Sequence, residues 1–291
     1  MVIYGGIDLM SDKNIIWMAS EDPLVISVVE AIHTGDVSSL KRLLAGNPGL
    51  VTARITETGE ESAGSEGTSG AGTSNAYNSE GTSSGGSRTL LHIATDWPGH
   101  FPNNAAVVTA LIEAGAELNA RFNGHHNETP LHWAASCDDV EVLDLLLDAG
   151  ADIEASGAVI AGGTPLDDAV AFAQWKAAHR LIERGAKPAL WHAAALGLIG
   201  LMEAHFAGDL LSRSYPWGAS AASSPDELTV AFWCACHGGQ RSAAEYLLSR
   251  GAELNWISGW DGLTPLDAAR RSNATELVEW LHCLGAESAQ R

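Results

Sequence analysis

The chain has 291 residues, of which 46% are hydrophobic, so it is long and apolar enough to bury a core in one extended domain. It carries 36 acidic and 16 basic residues, which give a net charge of −20. This charge disfavours nucleic acid and anionic membrane surfaces as partners, because both would repel the protein. It leaves two interpretations open: a solvated surface that aids solubility, which we favour, or an acidic groove for a basic ligand.

The cysteines and the hydropathy indicate where in the cell the protein is expected. Neither disulfide spacing nor a signal peptide accompanies the four cysteines, Cys137, Cys234, Cys236 and Cys283. We therefore expect a reducing, cytoplasmic location. No apolar run approaches the roughly 18 residues that a membrane span requires, so we expect no membrane partner.

The first 54 residues predict an extension and then a helix pair. Residues 1–22 form the N-terminal extension, whose Ile15, Ile16 and Trp17 could pack on the first unit. In 23–54, apolar residues recur at helical spacing on both sides of a turn at Gly35-Asp36. They are Val25, Val28, Val29, Ile32, Leu40, Leu43 and Leu44. Since the outer side of a terminal unit must face water, we interpret 23–54 as a capping repeat.

Residues 55–87 are dominated by glycine, serine, threonine and glutamate and contain almost no apolar side chains. Such a segment cannot offset the entropy lost on ordering, so it predicts a disordered insertion. We favour a passive role for it over a regulatory or partner-binding one.

The remaining chain repeats one pattern of helix openings and stops. The openings are Arg88-Thr89-Leu90-Leu91-His92, Thr129-Pro130-Leu131-His132, Gly163-Thr164-Pro165-Leu166-Asp167 and Leu263-Thr264-Pro265-Leu266-Asp267. Gly-Ala stops follow at 115, 150, 185, 251 and 285. This pattern resembles the ankyrin repeat, whose β-turn and two antiparallel helices recur about every 33 residues. The resemblance implies an all-α solenoid of about seven helix-turn-helix units with short β-turn fingers, with units two to seven in 88–288.

Some units depart from this pattern. A loop at 95–104 with two prolines separates the helices of unit two, and a long polar finger at 122–128 leads into unit three. The fifth unit, near Ala189, follows so closely on the fourth that it should lack a finger. Residues 209–225 predict another loop. Because functional residues concentrate where loops interrupt a regular scaffold, these segments are candidate sites.

The resemblance also implies a concave groove lined by finger tips and by the residues that follow the first-helix motif. Carried onto this chain, those positions are Asp96, Trp97, His125, His126, Glu128, Ser136, Cys137, Ile160, Phe172, Ala195, Leu196, His237, Gly238, Trp260, Asp261, Arg271 and Ser272. Trp97, Phe172, Trp175, Trp233 and Trp260 could serve as aromatic walls for a small molecule.

The ten tryptophans fall into two classes. We align Trp191 and Trp233 with the motif histidine and Trp133 with the residue after it, and we expect these three to pack between neighbouring first helices. The second class lies in loops or fingers and could supply exposed anchors for a ligand or partner. Its members are Trp97, Trp217, Trp256 and Trp260.

One group could support acid–base chemistry. Asp96 and His100 should face His125, His126 and Glu128 on the next finger, and a carboxylate that orients a histidine is typical of a general base or a metal ligand. Alternatively, Asp96 caps a helix, His100 packs on Pro98 and Phe101, and the two finger histidines are solvated.

Other polar residues have structural interpretations. The motif histidines His92 and His132 should tie adjacent repeats through hydrogen bonds. Asp139 should cap the second helix of unit three. The run Cys234-Ala235-Cys236-His237 lacks a second cysteine pair, and residues two apart on a helix diverge, so we expect no metal. The common hydrolase, phosphate-binding and metalloprotease motifs do not occur, and we expect no cofactor.

Three functions remain open from the sequence. The resemblance favours a cytoplasmic binding module whose groove recognises a protein or peptide. The alternatives are a small-molecule site and a catalytic groove that uses His100, His125 or His126 with Asp96 or Glu128. The loop interruption, the surplus of aromatic residues and the histidines near one junction favour these two alternatives more than they would in an ordinary repeat protein. The role of most family members still favours the binding module.

Overall fold

The computed structural model of the chain describes residues 15–56, 86–208, 211 and 226–289. These residues form three short strands and fourteen α-helices. The strands are β1 (Trp17–Ala19), β2 (Arg54–Thr56) and β3 (Ser87–Arg88). The helices are α1 (Pro23–Thr34), α2 (Val37–Gly46), α3 (Leu90–Thr95), α4 (Asn104–Glu113), α5 (Pro130–Ser136), α6 (Val140–Asp148), α7 (Pro165–Ala171), α8 (Trp175–Glu183), α9 (Leu190–Ala195), α10 (Ile199–Ala207), α11 (Glu227–His237), α12 (Arg241–Leu248), α13 (Pro265–Arg271) and α14 (Thr275–Cys283).

The helices pair consecutively into seven units that stack in two layers. In the first layer α1 packs on α3, and α5, α7, α9, α11 and α13 continue the row. Helices α2, α4, α6 and α8 stack as a second layer beside it. Leucines from both layers, among them Leu131, Leu143, Leu166 and Leu181, are fully or almost fully buried. Each unit therefore buries its apolar side against its neighbours, which confirms the all-α solenoid.

The Thr-Pro-Leu motif forms the start of the first helix in units three, four and seven. Thr129 and Thr164 take extended N-cap conformations, and a proline at the first helical position has no N–H to leave unpaired. Three residues later, His132 Nδ1 accepts the N–H of Thr129 at 3.1 Å, and Asp167 Oδ2 accepts that of Thr164 at 2.8 Å. Because a capping box satisfies otherwise unpaired backbone donors, histidine and aspartate are interchangeable here.

Glycine ends the second helix of the regular units. Gly150 has a φ of 102°, which favours glycine, and it follows the last turn of α6. The N–H of Ala151 then donates to the carbonyl of Leu146 at 2.9 Å. This bond closes the helix and directs the chain toward the next finger, which explains the Gly-Ala stops.

The motif histidines tie each first helix to the next finger. His92 Nε2 donates to the Glu128 carbonyl at 3.2 Å, and His132 Nε2 donates to that of Gly163 at 3.3 Å. Burial lowers the pKa of His92 to about 3 and that of His132 to about 4, so both are neutral at pH 7. The predicted structural role of these histidines is confirmed.

Trp233 and Trp191 differ from each other in register. Trp233 occupies the histidine position, is fully buried, and donates its Nε1–H to the Leu263 carbonyl at 3.0 Å. The prediction for Trp191 is wrong by one position, because His192 accepts the N–H of the N-cap residue Ala189 at 2.8 Å. Trp191 takes the leucine position of the motif and is also buried.

Unit five lacks a finger, as predicted. Only residues 184–189 separate α8 from α9. The closer approach places His192 Nε2 at 3.7 Å from Asp167 Oδ1, with both side chains buried. Burial lowers the pKa of His192 to about 4, so the imidazole beside Asp167 is neutral at pH 7.

A small sheet joins segments that the sequence analysis treated as separate. Strand β1 pairs in parallel with β2, and β2 pairs antiparallel with β3. Residues 17–19 of the predicted extension and 55–56 and 87 of the predicted insertion are therefore ordered strand residues. Residues 57–85, and the predicted loop at 209–225 with Trp217 except for residue 211, lie outside the described residues.

Candidate functional site

Asp96 forms an ion pair with an arginine of the small sheet. Its Oδ2 lies 2.6 Å from Nη1 of Arg88, and its Oδ1 accepts the backbone N–H of Trp97 at 2.8 Å. Asp96 is also the C-cap residue of α3, where its backbone N–H donates to the Ile93 carbonyl. Asp96 is thus held by β3 and by its own loop rather than serving to orient His100.

His100 contacts unit three through a different carboxylate. Its Nδ1 lies 3.9 Å from Oδ1 of Asp139, and its Nε2 lies 3.1 Å from the Cys137 carbonyl oxygen. Asp139 also accepts the N–H of Val142 at 3.3 Å, which confirms that it caps α6. The predicted pairing of His100 with Asp96 is therefore corrected to a pairing with Asp139.

The thiol beside His100 is not a nucleophile. Cys137 is buried, and its Sγ lies 3.7 Å from the Thr95 carbonyl oxygen. Burial raises the pKa of Cys137 to about 12, and the charges of Asp96 and Asp139 act in the same direction. Since the thiolate is the reactive form, His100 and Cys137 do not constitute an activated pair.

The finger residues of the predicted acid–base group point to different environments. His125 and His126 are exposed, whereas Glu128 is buried and accepts a hydrogen bond from the Trp133 side chain. Burial raises the pKa of Glu128, and the charge of Asp96 adds to the rise. The five residues thus lie in different environments. Asp96 pairs with an arginine, and His100 contacts the Asp139 cap of α6. His125 and His126 lie on a solvated finger, and Glu128 is a buried carboxyl group.

A second carboxyl group lies within electrostatic reach of Glu128. Asp168 is fully buried at the start of α7, where its Oδ1 accepts the N–H of Ile160 at 3.5 Å. Its Oδ2 has no hydrogen-bond partner among the described residues. Burial raises the pKa of Asp168 well above its usual range, and the charge of Glu128 adds to this. Asp168 therefore anchors the finger tip of unit four, and its burial favours the protonated over the charged form.

Aromatic rings of the last units form one continuous cluster. The ring centroids of Trp175 and His237 lie 5.2 Å apart, and those of Trp233 and His237 lie 5.5 Å apart. Trp260 meets Trp233 edge to face at 5.0 Å and Trp256 at 5.3 Å. These five residues are called the aromatic cluster below. They bring together units four, six and seven.

Arg271 lies on this cluster and connects its polar members. Its guanidinium carbon is 5.5 Å from the ring centroid of Trp233, and Nη1 is 2.9 Å from Oδ2 of Asp261. Nη2 donates to His237 Nδ1 at 3.3 Å, while His237 Nε2 donates to the Val170 carbonyl at 3.1 Å. Burial and the charge of Arg271 lower the pKa of His237 to about 4, so the ring is neutral at pH 7.

The predicted binding residues therefore split by position and by exposure. Five of the predicted residues lie in the aromatic cluster or beside it: Trp175, Trp233, His237, Trp260 and Asp261. The other five lie outside it: Trp97, Ser136, Cys137, Ile160 and Phe172. Trp97 is 78% exposed and Phe172 is 43% exposed. Four of the predicted residues are buried and have little surface for a ligand: Trp233, His237, Cys137 and Ile160. Their assignment as lining of the groove is therefore corrected. Trp175 and Trp260 are half-buried and remain partly accessible, whereas the side chain of Asp261 is only 9% exposed.

A groove that the sequence analysis missed lies on units one and two. Its cavity has a volume of about 480 Å³, and its floor is apolar. The floor consists of Val25, Ile26, Val29, Ile55 and Ile93. The available signal was the apolar run in α1, where Ile26 adds to the residues of the buried face. The groove is called the unit-one groove below.

Two exclusions apply to the described part of the chain. No group of three histidine, cysteine, aspartate or glutamate side chains could hold a metal ion there. No helix there is long and apolar enough to cross a bilayer.

Comparison with known proteins agrees with this architecture. A family model described as ankyrin repeats (3 copies) matches residues 29–157 and 91–192, which together span more than half of the chain. A fowlpox virus (strain NVSL) ankyrin repeat protein, FPV233, is 46% identical over 61 residues. That similarity covers 21% of this chain and 11% of the viral protein. The chain belongs to the ankyrin repeat family.

Proposed function

We propose that the chain is a binding module that recognises a protein or peptide partner along a groove formed by its first helices and fingers. Ankyrin repeats generally mediate protein–protein interaction. The observation that carries the proposal for this chain is the aromatic cluster with Arg271 beside it. Tryptophan and arginine are the residues that most often dominate binding energy at protein interfaces.

The contacts of the cluster support a preorganised contact surface. Trp260 is held by two ring contacts, and Arg271 is held by Asp261 and His237. Side chains that are already ordered lose little conformational entropy when a partner binds. The buried member Trp233 supports this surface from beneath without contributing to it. The net charge of −20 favours a basic partner, which it would attract at long range.

A peptide selection tests this proposal. A displayed random peptide library would be selected on the whole chain, and the dissociation constants of selected peptides would be measured by fluorescence anisotropy. We expect Trp260→Ala and Arg271→Ala each to weaken binding by about tenfold or more, the equivalent of a hot-spot contact.

Matched controls are available on the second helices. Trp280 is half-buried and lies beside Arg241, whose guanidinium carbon is 5.9 Å from the ring centroid. Trp280→Ala and Arg241→Ala remove the same residue types from α14 and α12 and should leave peptide affinity unchanged. Peptides that bind the cluster variants normally but lose affinity for the control variants would overturn the proposal.

The expected cytoplasmic location remains a prediction from the cysteines. All four cysteines are free, and Cys137, Cys234 and Cys236 are buried. A reducing compartment would maintain them in this form. Labelling of the chain in fractionated cells would test the location independently of binding.

A further inference from the structure

The unit-one groove presents apolar surface where a terminal unit is expected to be polar. Ile26 is 53% exposed on α1, and Val29 on the same helix is half-buried. Ile55 of the small sheet and Ile93 of α3 close the floor from the other side. Ile55 and Ile93 are only 2% and 3% exposed, so Ile26 and Val29 supply the accessible apolar surface above a buried floor. A surface cavity with an apolar lining and few polar groups is a candidate binding site.

The polar rim of this groove determines which charge it accepts. Asp96 is neutralised by Arg88 at 2.6 Å, so this pair adds little net charge. Burial lowers the pKa of His33, which disfavours a positive charge on its ring. The exposed carboxylate of Glu30 remains as the charged group of the rim. The groove thus combines an apolar floor with a negative edge, on a protein whose net charge is −20.

We propose that the unit-one groove binds a basic amphipathic helix of a protein partner, which seats apolar side chains on the floor and directs a lysine or arginine toward Glu30. The inference rests on the proposed function and names a partner chemistry for one part of the surface. The volume of about 480 Å³ lies within the range of about 300 to 1,000 Å³ that is typical of ligand sites. Helix α1, with 12 residues, is about 18 Å long and offers a helical partner several turns of contact.

A synthetic peptide can stand in for the unidentified partner. The probe is a helical peptide of leucine and lysine with all leucines on one face, and its binding to the whole chain would be followed by fluorescence anisotropy. A second peptide, with serine in place of leucine, carries the same charge without the apolar face. We expect the leucine peptide to bind at least about tenfold more tightly than the serine peptide, since apolar burial supplies the difference.

A matched pair of variants locates the site. Ile26→Lys places a charge on the groove floor, whereas Ile257→Lys makes the same change at a finger residue of unit seven that is 55% exposed. Both positions are open to water, so both variants should keep the circular dichroism and unfolding midpoint of the wild type. We expect Ile26→Lys to raise the dissociation constant of the leucine peptide by about tenfold or more. Ile257→Lys should leave this dissociation constant nearly unchanged.

Several results would overturn the inference. Equal weakening by both variants would mean that charge alone drives binding, as would equal affinity for the serine peptide. If the wild-type chain sedimented as a dimer and Ile26→Lys sedimented as a monomer, the groove would bind a second copy of the chain instead. Failure here does not decide the proposed function, because Trp260 and Arg271 lie in the aromatic cluster and are tested with separately selected peptides.

Discussion

Replacing Trp233 with phenylalanine tests how adjacent repeats are held together. The indole N–H donates to the Leu263 carbonyl at 3.0 Å, and the side chain is fully buried. Loss of this hydrogen bond should cost about 1 kcal/mol. The smaller ring leaves a void between α11 and α13 that should cost about 1 to 2 kcal/mol more. We therefore expect Trp233→Phe to lower the free energy of unfolding by about 2 to 3 kcal/mol, summed from these two effects.

The assay is urea unfolding followed by circular dichroism at the helical band. Trp280→Phe is the matched control, because Trp280 is half-buried on α14 and its loss should change stability by no more than about 0.5 kcal/mol. If Trp233→Phe were no less stable than Trp280→Phe, the indole would not be what ties unit six to the finger of unit seven. Because Trp233 is buried, peptides that bind folded Trp233→Phe should keep nearly their full affinity.

Three further outcomes follow from the site geometry. The pKa of Asp168 is raised in the folded chain, so its contribution to stability is greatest below its unfolded pKa of about 4 and is lost as pH rises toward the folded value. Asp168→Asn should therefore gain stability relative to the wild type between about pH 4 and pH 7, and thermal unfolding with no such trend would contradict the assigned burial. The thiol of Cys137, with a pKa of about 12, should react with iodoacetamide at pH 8 far more slowly than exposed Cys283, as mass spectrometry of the labelled peptides would show. Asp139→Ala should destabilise the fold by about 1 kcal/mol through loss of the α6 cap, and unchanged unfolding by urea would argue that Val142 N–H finds another acceptor.

The repeated elements could be predicted from sequence because their causes are local. A threonine cap, a proline at the first helical position and a glycine after the last turn act within a few residues of one another, so their spacing reveals the helices. The tie from His132 to the Gly163 carbonyl also follows, since one repeat copies the geometry of the previous one. The error at Trp191 arose because unit five has no Thr-Pro-Leu motif to fix its register.

The candidate site could be predicted only in part, because loop geometry and long-range pairing are not periodic. His100 has a φ of 54° and Asn103 has a φ of 50°, and these left-handed residues turn the loop of unit two toward Asp139. Asp96 is held by Arg88, which belongs to a strand that pairs across the insertion. Neither contact follows from the repeat period. Three members of the aromatic cluster, Trp175, Trp233 and Trp260, were among the predicted aromatic walls, but the contacts that join them with His237 and Trp256 were not predicted.

The small sheet has a consequence for how the chain can change in length. Thr56 and Ser87 are direct partners in the antiparallel pairing of β2 and β3, so the two ends of the intervening stretch are fixed within about 5 Å of each other. The entropy of closing a loop grows only with the logarithm of its length, and each doubling costs roughly 0.6 kcal/mol. This junction is therefore a place where a whole domain, a tag or a two-residue turn could be exchanged while the stacked helices keep their register.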